Sequence, residues 1–284
     1  MGNVLNGTEL SKQMRDMVAE MCCQFELKYG HPVGLAIIQV GDNPSATSYV
    51  KNNLRLCKEV GIAANLYKMS AKATQEEIIA QIEQLNDDDK VSGILLQLPL
   101  PAGLDIQLIS SKIKPTKDVD GINPVSAGNL FSGFPAFAPC TPSGVLELIK
   151  STHTDILGKH AVIVGASNIV GKPLAMLLLR EEATVTVCND KTKNLAEICK
   201  QADILISACG QAEMINSSYV KEGAIVIDVG INFKDKKLCG DVKYDDVLPV
   251  ASYITPVPGG VGPMTVTMLM FNTYAAAVES KESK

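Results

Sequence analysis

The chain has 284 residues, which favours two domains at about 100–200 residues per domain. Hydrophobic residues make up 46% and charged residues 20% of the chain, a balance that is typical of folded enzymes and excludes a largely disordered protein. The net charge of −5 argues against a general nucleic-acid binder, and no apolar run approaches the roughly 18 residues of a membrane span. We therefore expect no nucleic-acid partner, no membrane insertion and a cytoplasmic location.

Helix and strand patterns alternate through the first hundred residues. A helical pattern over 8–29 ends at Gly30, and Val33 to Val40 is an apolar run of strand length. The pattern continues with a helix after the Asp42–Ser45 turn that closes near Gly61, a short strand over 65–69, a helix capped by Thr74, and a strand over 91–97. This βαβα order predicts a parallel sheet with crossover helices.

The second half of the chain repeats this alternation after a break. The stretch from about Lys114 to Pro142 is rich in glycine and proline, and we interpret it as the crossing between two domains. Beyond it the predicted elements are a helix to about Ser151, strand 160–164, helix 171–181, strand 184–188, helix 194–201, strands 204–208 and 224–229, and a long helix from Met264. The sequence thus predicts an α/β fold with a domain over 1–140, completed by the helical tail 265–284, and a second domain over 141–264.

A glycine turn follows the apolar strand that ends at Val164. Gly165 and Gly171 bracket the turn, and Pro173 opens the next helix. Such a turn lets backbone approach a pyrophosphate at a helix N-terminus, although the spacing is G-x5-G rather than G-x-G-x-x-G. The motif indicates either a dinucleotide site or an ordinary tight βα turn.

Asp190 ends the next strand, about 25 residues after Gly165. An acid at this point commonly accepts hydrogen bonds from the adenosine ribose and repels a 2′-phosphate. The alternative is a solvent-facing turn residue, and Lys191 and Lys193 are close enough in sequence to attract a phosphate.

Two polar groups follow strands of the first domain. Tyr49 lies near the start of a predicted helix and shares a helix face with Asn53, four residues on. Tyr49 is suited to stack on a flat ligand or to act as an acid–base group, but packing explains it equally well. Gln97 closes an apolar strand, where α/β proteins place their ligands, or is simply a satisfied strand-end residue.

Two loops complete the set of candidate segments. Asp118 and Asp120 are two residues apart, so at most one of them is expected to face a site; a solvated acidic turn is the alternative. Thr255 to Pro263 is a rigid loop opened by glycines, which suits either a ligand wall or a stiff linker. The eight cysteines include no C-x-x-C pair and the three histidines are unpaired, so we expect reduced core thiols and no metal site.

Taken together, five segments resemble the bifunctional methylenetetrahydrofolate dehydrogenase/cyclohydrolase family, a bacterial-type two-domain folate enzyme. They are GILLQLPLP at 93–101, KDVDG at 117–121, GASNIVGKP at 165–173, VIDVGIN at 226–232 and YITPVPGGVGPMT at 253–265. The resemblance implies a three-layer α/β catalytic domain and a Rossmann-type NAD(P)-binding domain with the folate in a cleft between them. It also implies oxidation of 5,10-methylenetetrahydrofolate, hydrolysis of the methenyl product to 10-formyltetrahydrofolate, and a homodimer formed through the nucleotide-binding domains.

The resemblance also assigns roles to individual residues. Tyr49 stacks along the pterin, Asp120 holds its ring nitrogens and Gln97 assists the catalytic centre. Further expected folate contacts are Leu96, Leu98, Pro256, Gly259, Gly260 and Pro263. The expected dinucleotide contacts are Gly165, Ala166, Ser167, Asp190 and Ile231.

Two positions depart from what the resemblance implies. The family pattern is Tyr-x-x-x-Lys, with the lysine central to the hydrolase step, whereas this chain has Asn53 there. Asparagine can neither titrate nor supply a positive charge, so we expect impaired cyclohydrolase activity. Lys51 cannot replace the lysine, because i+2 lies about 200° around the helix from Tyr49. The cofactor is NADP or NAD, and Asp190 favours NAD.

Two other functions are compatible with parts of the sequence. A folate- and dinucleotide-binding protein of the same fold that has lost catalysis is suggested by Asn53. A shikimate-type dehydrogenase shares the expected architecture, but it does not account for the GILLQLPLP and PVPGGVGPMT segments.

Overall fold

The computed structural model describes residues 2–282, and the chain forms two compact units. One unit, called here the three-stranded unit, contains Gln13–Cys140 and the tail from Val266. The other, the six-stranded unit, contains the residues up to Lys12 and Thr141–Thr265. The sequence assigns residues 1–12 to the first domain, whereas in the structure Asn3 and Val4 pair with Tyr253 and Ile254 of the six-stranded unit.

The three-stranded unit is built on a parallel sheet of order β3-β2-β4. Its strands are β2 (Gly34–Val40), β3 (Ala63–Met69) and β4 (Gly93–Leu96). Its helices are most of α1 (Gly7–Tyr29), α2 (Pro44–Glu59), α3 (Gln75–Asp87), α4 (Ile106–Ser110), α5 (Pro124–Ser132) and most of α10 (Val261–Glu282). All seven residues of β2 are buried, as its nearly continuous apolar run predicts for a central strand.

The predicted start of α3 at Thr74 is confirmed. The Thr74 hydroxyl accepts a hydrogen bond from the backbone N–H of Glu77, and the Glu77 carboxylate accepts one from the N–H of Thr74. This reciprocal capping satisfies two donors that the helix itself leaves free.

The six-stranded unit contains a sheet of order β1-β11-β8-β7-β5-β6 in which all pairs are parallel. Its strands are β1 (Asn3–Val4), β5 (His160–Val164), β6 (Thr184–Cys188), β7 (Ile204–Ser207), β8 (Ile225–Asp228) and β11 (Tyr253–Ile254). A separate antiparallel hairpin consists of β9 (Asn232–Lys234) and β10 (Lys237–Cys239). The helices are α6 (Cys140–Lys150), α7 (Gly171–Arg180), α8 (Leu195–Cys199) and α9 (Tyr244–Val247).

The strand order of this sheet creates a switch point beside β5. The chain passes from β5 to β6 on one side and then to β7 on the other. In open parallel sheets, ligands bind beyond the carboxyl ends of the strands at such a point. The glycine turn at Gly165 follows directly on β5, so the fold places it at this position.

The structure corrects the interpretation of residues 114–142 as an inter-domain crossing. Up to Cys140 they belong to the three-stranded unit, and they include a 3-10 turn at Pro115–Lys117 and helix α5. Helix α10 begins at Val261, three residues earlier than predicted. Five of the eight cysteines are buried and all are free, whereas Cys23 is exposed. Within residues 2–282, no helix combines the length and apolarity that crossing a membrane requires.

Candidate functional site

Tyr49 and Asn53 lie on helix α2, which begins shortly after the carboxyl end of strand β2. The Asn43 side chain accepts a hydrogen bond from the N–H of Ala46, and Pro44 occupies the first helical turn. Both features fix the helix start a few residues before Tyr49. Tyr49 and Asn53 are then one helical turn apart, as their spacing predicts.

The Tyr49 hydroxyl lies in a buried and negatively polarised environment. Burial is the largest cause that raises its pKa, and the nearby Cys140 and Asp120 side chains add to the rise. The Asn53 amide acts in the opposite direction, but only weakly. Tyr49 is therefore a neutral hydrogen-bond donor at physiological pH rather than a phenolate base.

Asn53 is fully buried, with none of its surface exposed. Neither its amide nitrogen nor its amide oxygen has a hydrogen-bond partner of good geometry within residues 2–282, although the Tyr49 hydroxyl lies close enough to interact with the amide. A buried unpaired polar group costs about 1–3 kcal/mol, so such a group points to a partner from outside the chain, either a water molecule or a ligand. The nearby cations Lys51 and Arg55 are exposed, and Arg55 pairs with Glu59 at 2.5 Å.

The two acids of the 117–121 segment have different environments. The Asp118 carboxylate is buried and accepts hydrogen bonds from the backbone N–H groups of Ile122 and Asn123 at 3.1 and 2.9 Å. Asp120 makes the electrostatic contact with Tyr49 and lies beside Cys140. Burial raises the pKa of Asp120 to about 6, although the Cys140 thiol and backbone N–H favour its charged form. The Asp118 carboxylate is thus bound by its own loop, whereas Asp120 lies close to Tyr49.

The loop of Asp120 is held by residues that lie far away in sequence. Asn272 on α10 donates from its amide nitrogen to the carbonyls of Val119 and Ala138 at 2.9 and 3.1 Å. The Cys140 thiol also contacts the Val119 carbonyl, at 3.3 Å. Sequence reasoning missed Cys140 and Asn272, because only the folded chain brings them to the 117–121 segment.

Gln97 follows β4 at the carboxyl edge of the three-stranded sheet. Its amide nitrogen donates to the Leu98 carbonyl at 2.7 Å, while its buried amide oxygen has no partner among residues 2–282. Like the two amide atoms of Asn53, this oxygen is a buried polar atom that a ligand or a water molecule could satisfy. Leu98 is half-buried, whereas Leu96 is almost fully buried among core residues.

The predicted dinucleotide residues lie at the carboxyl edge of the six-stranded sheet. Gly165 has a φ of +127°, and a Cβ there would lie 2.2 Å from the Ala208 carbonyl oxygen beyond β7. A Cβ on Gly171 would lie 1.9 Å from the Gly165 carbonyl oxygen. The turn therefore requires both glycines, and it leaves the backbone of Ala166 and Ser167 partly open at the N-terminal end of α7. This is a cradle that fits a pyrophosphate.

Asp190 and Ile231 are both exposed at the same edge of the sheet. Asp190 follows β6 and pairs with its neighbour Lys191 at 2.6 Å. Ile231 has 71% of its surface exposed and precedes the β9–β10 hairpin.

A cavity of about 740 Å³ lies in the six-stranded unit. The predicted folate contacts Pro256, Gly259, Gly260 and Pro263 all line it, together with Ile231. The Gly259 carbonyl accepts a hydrogen bond from the Thr8 N–H at 3.0 Å, which anchors the glycine-rich loop to the start of α1. The largely apolar cavity, with a few polar groups, is of the kind that holds a flat organic ligand.

Both parts of the chain match domains of one known enzyme family. Residues 139–281 match the NAD(P)-binding domain of tetrahydrofolate dehydrogenase/cyclohydrolase, and residues 5–120 match the catalytic domain of the same family. The chain belongs to the tetrahydrofolate dehydrogenase/cyclohydrolase family. The resemblance based on the five motifs is thereby confirmed, as is the α/β fold with a Rossmann-type domain, and the shikimate-type alternative is wrong.

Individual members of the tetrahydrofolate dehydrogenase/cyclohydrolase family are similar to this chain along almost its whole length. Bifunctional protein FolD of Geobacillus thermodenitrificans is 53% identical over 275 residues, 96% of each chain. The crystal structure of the bifunctional enzyme FolD from Campylobacter jejuni has a TM-score of 0.96 and 46% identity, covering 98% of this chain and 99% of that one. The Trypanosoma brucei enzyme complexed with NADP cofactor and inhibitor has a TM-score of 0.94 and 36% identity, covering 99% of this chain and 98% of that one.

Proposed function

We propose that this protein oxidises 5,10-methylenetetrahydrofolate to the methenyl form with NAD(P). The observation that carries the proposal is that one chain matches both the catalytic and the NAD(P)-binding domain of the family and aligns with 96% of the length of a relative named bifunctional protein FolD. NAD(P), when bound, supplies the hydride acceptor. The chain's own part is then to bind and orient the two reactants, which by itself lowers the barrier substantially.

The proposed folate site uses Tyr49, Gln97 and Asp120. Tyr49 offers a neutral hydroxyl beside the folate ring, and the raised pKa of Asp120 suits a carboxyl that exchanges hydrogen bonds with ring nitrogens. The unpartnered amide atoms of Asn53 and Gln97 support a polar ligand at these residues, because binding would satisfy them. Leu96, Leu98 and the cavity residues Pro256, Gly259, Gly260 and Pro263 complete the proposed contacts.

The second proposal is that hydrolysis of the methenyl product is impaired. The family lysine is replaced by Asn53, and the cations Lys51 and Arg55 are on the exposed side of α2. A neutral amide can orient a water molecule but can neither take its proton nor stabilise negative charge as an ammonium does. The protein is therefore expected to release methenyltetrahydrofolate rather than its formyl product.

Product analysis tests both proposals at once. The purified protein is mixed with 5,10-methylenetetrahydrofolate and either NAD or NADP, and folates are separated chromatographically beside an enzyme-free methenyl control. We expect cofactor reduction and accumulation of the methenyl form without accelerated conversion to the formyl form. Absence of cofactor reduction would favour the alternative, a folate- and dinucleotide-binding protein without catalysis. Rapid formyl production would mean that another group replaces the lysine.

NAD is proposed as the preferred cofactor because Asp190 lies just beyond β6, where a carboxylate accepts from ribose hydroxyls. The ion pair with Lys191 reduces its repulsion of a 2′-phosphate without removing it. Replacing Asp190 by serine is expected to raise the ratio of kcat/KM for NADP to that for NAD by about tenfold, because a negative charge near the phosphate is removed.

Initial rates with both cofactors measure this ratio. Glu222→Ser is the control, since Glu222 is an exposed acid that precedes β8 and so lies at the opposite edge of the same sheet. An unchanged ratio in Asp190→Ser, or wild-type protein that uses NADP at least as well as NAD, would refute the assignment.

A homodimer and a cytoplasmic location are further proposals. The exposed apolar side chain of Phe233, on the β9–β10 hairpin, supports an interface at the nucleotide-binding domain.

A further inference from the structure

The most heavily hydrogen-bonded carboxylate described in the structure belongs to Asp241, just beyond the β9–β10 hairpin. The side chain is fully buried. It accepts from the Ser207 hydroxyl at 3.2 Å, the N–H groups of Cys209, Gly210 and Gln211 at 2.8, 3.2 and 3.0 Å, and the Asn232 amide at 2.8 Å. Three of these donors point at one carboxylate oxygen and two at the other, so both oxygens are needed as acceptors, which an amide or a hydroxyl cannot supply.

A second buried carboxylate holds Asp241 in place. Asp228, at the end of β8, accepts from the backbone N–H groups of Gly230, Asp241 and Val242 at 2.8–2.9 Å. Its own N–H donates to the Thr255 hydroxyl at 2.7 Å, directly before the glycine-rich loop. The two acids therefore connect four segments of the six-stranded unit into one hydrogen-bonded network.

The backbone packs closely against both carboxylates, with no room for a side chain at Gly230 or Gly240. A Cβ on Gly230 would lie 2.3 Å from an Asp241 carboxylate oxygen, and a Cβ on Gly240 would lie 1.8 Å from one of Asp228. Both glycines are thus required for the backbone to approach the acids so closely. Such close packing fixes the positions of the loops that the acids bind.

The bound loops are those at the ligand-binding edge of the sheet. Ser207 ends β7, beside the switch point, and Asp241 holds the three residues that follow Ala208. On the other side, Asn232 is the neighbour of Ile231, and residues 228–231 form part of the cavity wall. Asp241 therefore joins the loop after β7 to the loop after β8 without itself lining the cavity wall.

We propose that Asp241 is a positioning residue for the dinucleotide, one that fixes the loops after β7 and β8 in the conformation that NAD(P) binds. This inference rests on the proposed function. It predicts that the Asp241 carboxylate affects dinucleotide affinity more than it affects turnover at saturating dinucleotide. A role confined to folding would instead lower stability and leave the affinity of the folded protein unchanged.

Asp241→Asn tests the inference in the full-length protein. The substitution keeps the size but presents an NH₂ group to backbone donors, so at least one N–H loses its acceptor. We expect the Kd for NADH or NADPH, measured by fluorescence titration, and the KM for the oxidised cofactor to rise at least about tenfold, with a smaller change in kcat.

Asp246→Asn is the matched control. Asp246 also accepts from a backbone N–H and a hydroxyl, those of Ser217, in the same unit. All titrations are made well below the thermal midpoint of each variant, and we expect Asp246→Asn to bind within about twofold of wild type. Should Asp241→Asn be too unstable to purify, Asn232→Ala removes one donor only and is expected to weaken binding by a few fold.

The outcomes separate the inference from the function on which it rests. Wild-type protein that binds neither NADH nor NADPH would refute the proposed function and this inference together. Wild-type binding with unchanged affinity in folded Asp241→Asn, or in folded Asn232→Ala where that variant has to serve, would refute the inference alone. Equal weakening in Asp246→Asn would also refute it, because the effect would then follow from general destabilisation.

Discussion

Replacing Asn53 with lysine is expected to raise the rate of 5,10-methenyltetrahydrofolate hydrolysis by about a hundredfold or more, the usual contribution of a positioned acid–base group. The side chain at this position is fully buried one turn from Tyr49. Burial lowers the pKa of a lysine, so a fraction of the amine is neutral near physiological pH and can accept a proton from water. The ammonium formed in this way can then return the proton to the ring nitrogen, whose bond to the attacked carbon breaks as the formyl group forms.

Asn53→Met is the matched control for this gain. Methionine has an unbranched stem of comparable length but no titratable group, so it reproduces the packing of lysine without its chemistry. Asn52→Lys adds the same charge at the adjacent, half-buried position, where Asn52 contacts Arg55. Hydrolysis is followed by the loss of methenyl absorbance, corrected for the enzyme-free rate, and thermal midpoints show that each variant is folded.

Only Asn53→Lys should accelerate hydrolysis. A folded Asn53→Lys protein with no gain would show that the missing lysine does not limit the second activity. An equal gain in Asn53→Met would show that the shape of the side chain, rather than its charge, is responsible.

The parallel core of both units is predictable from sequence because buried strands have a distinct composition. Strands β2 and β8 are buried along their whole length, and each is apolar except for one residue near its end, Gln39 in β2 and Asp228 in β8. The two-residue strands β1 and β11 have no such signal, because they are too short to show a period. Helix α5 is not predicted from the sequence, because the surrounding glycines and prolines indicate a loop. Its start is nevertheless an ordinary one, with Asn123 as the N-cap and Pro124 in the first turn.

The candidate site was predictable only where spacing along one element decides the geometry. The i, i+4 relation of Tyr49 and Asn53 is of this kind, and the structure places them on one helix. The network around Asp241 was not predictable, because its partners at 207–211 lie 30–34 residues earlier in the chain. Nothing in the short segment GDV at 240–242 distinguishes a five-fold acceptor from an ordinary turn acid.

Replacing Asp118 or Asp120 with asparagine is expected to affect different properties: activity at Asp120 and stability at Asp118. Asp120→Asn should reduce kcat/KM for 5,10-methylenetetrahydrofolate by about a hundredfold, because the proposed contact with the folate ring loses its charge. Asp118→Asn should retain most activity per folded molecule, but it should lower the free energy of unfolding by about 1–3 kcal/mol. Its carboxylate satisfies two buried N–H groups, and an amide can accept from only one side.

The same substitution at Asp120 should make the protein more stable at neutral pH. Its pKa is about 6 in the folded protein against an ordinary value of 3.8, so the folded state holds its proton more tightly than the unfolded state. The resulting stabilisation is fully present below pH 4 and is lost as pH rises through 6, where the buried carboxyl ionises. Asparagine avoids this cost. We therefore expect the free energy of unfolding of Asp120→Asn to be higher than that of wild type by roughly 1–2 kcal/mol at pH 7.5 and to be similar to it at pH 4.

Unfolding by denaturant at several pH values, together with the pH dependence of kcat/KM, measures both effects. Burial also raises the pKa of Asp228 to about 6, so the quantity to compare is the difference between variant and wild type, in which the contribution of Asp228 cancels. The pH dependence of kcat/KM should show an ionisation near pH 6 in the wild-type protein, and this ionisation should be absent from Asp120→Asn. An Asp120→Asn protein that is less stable than wild type at pH 7.5, yet active, would show that Asp120 supports the loop and that the folate contact lies elsewhere. The structure predicts the reverse, because Asp118 already supplies the backbone hydrogen bonds of that loop and leaves Asp120 to interact with Tyr49 and Cys140.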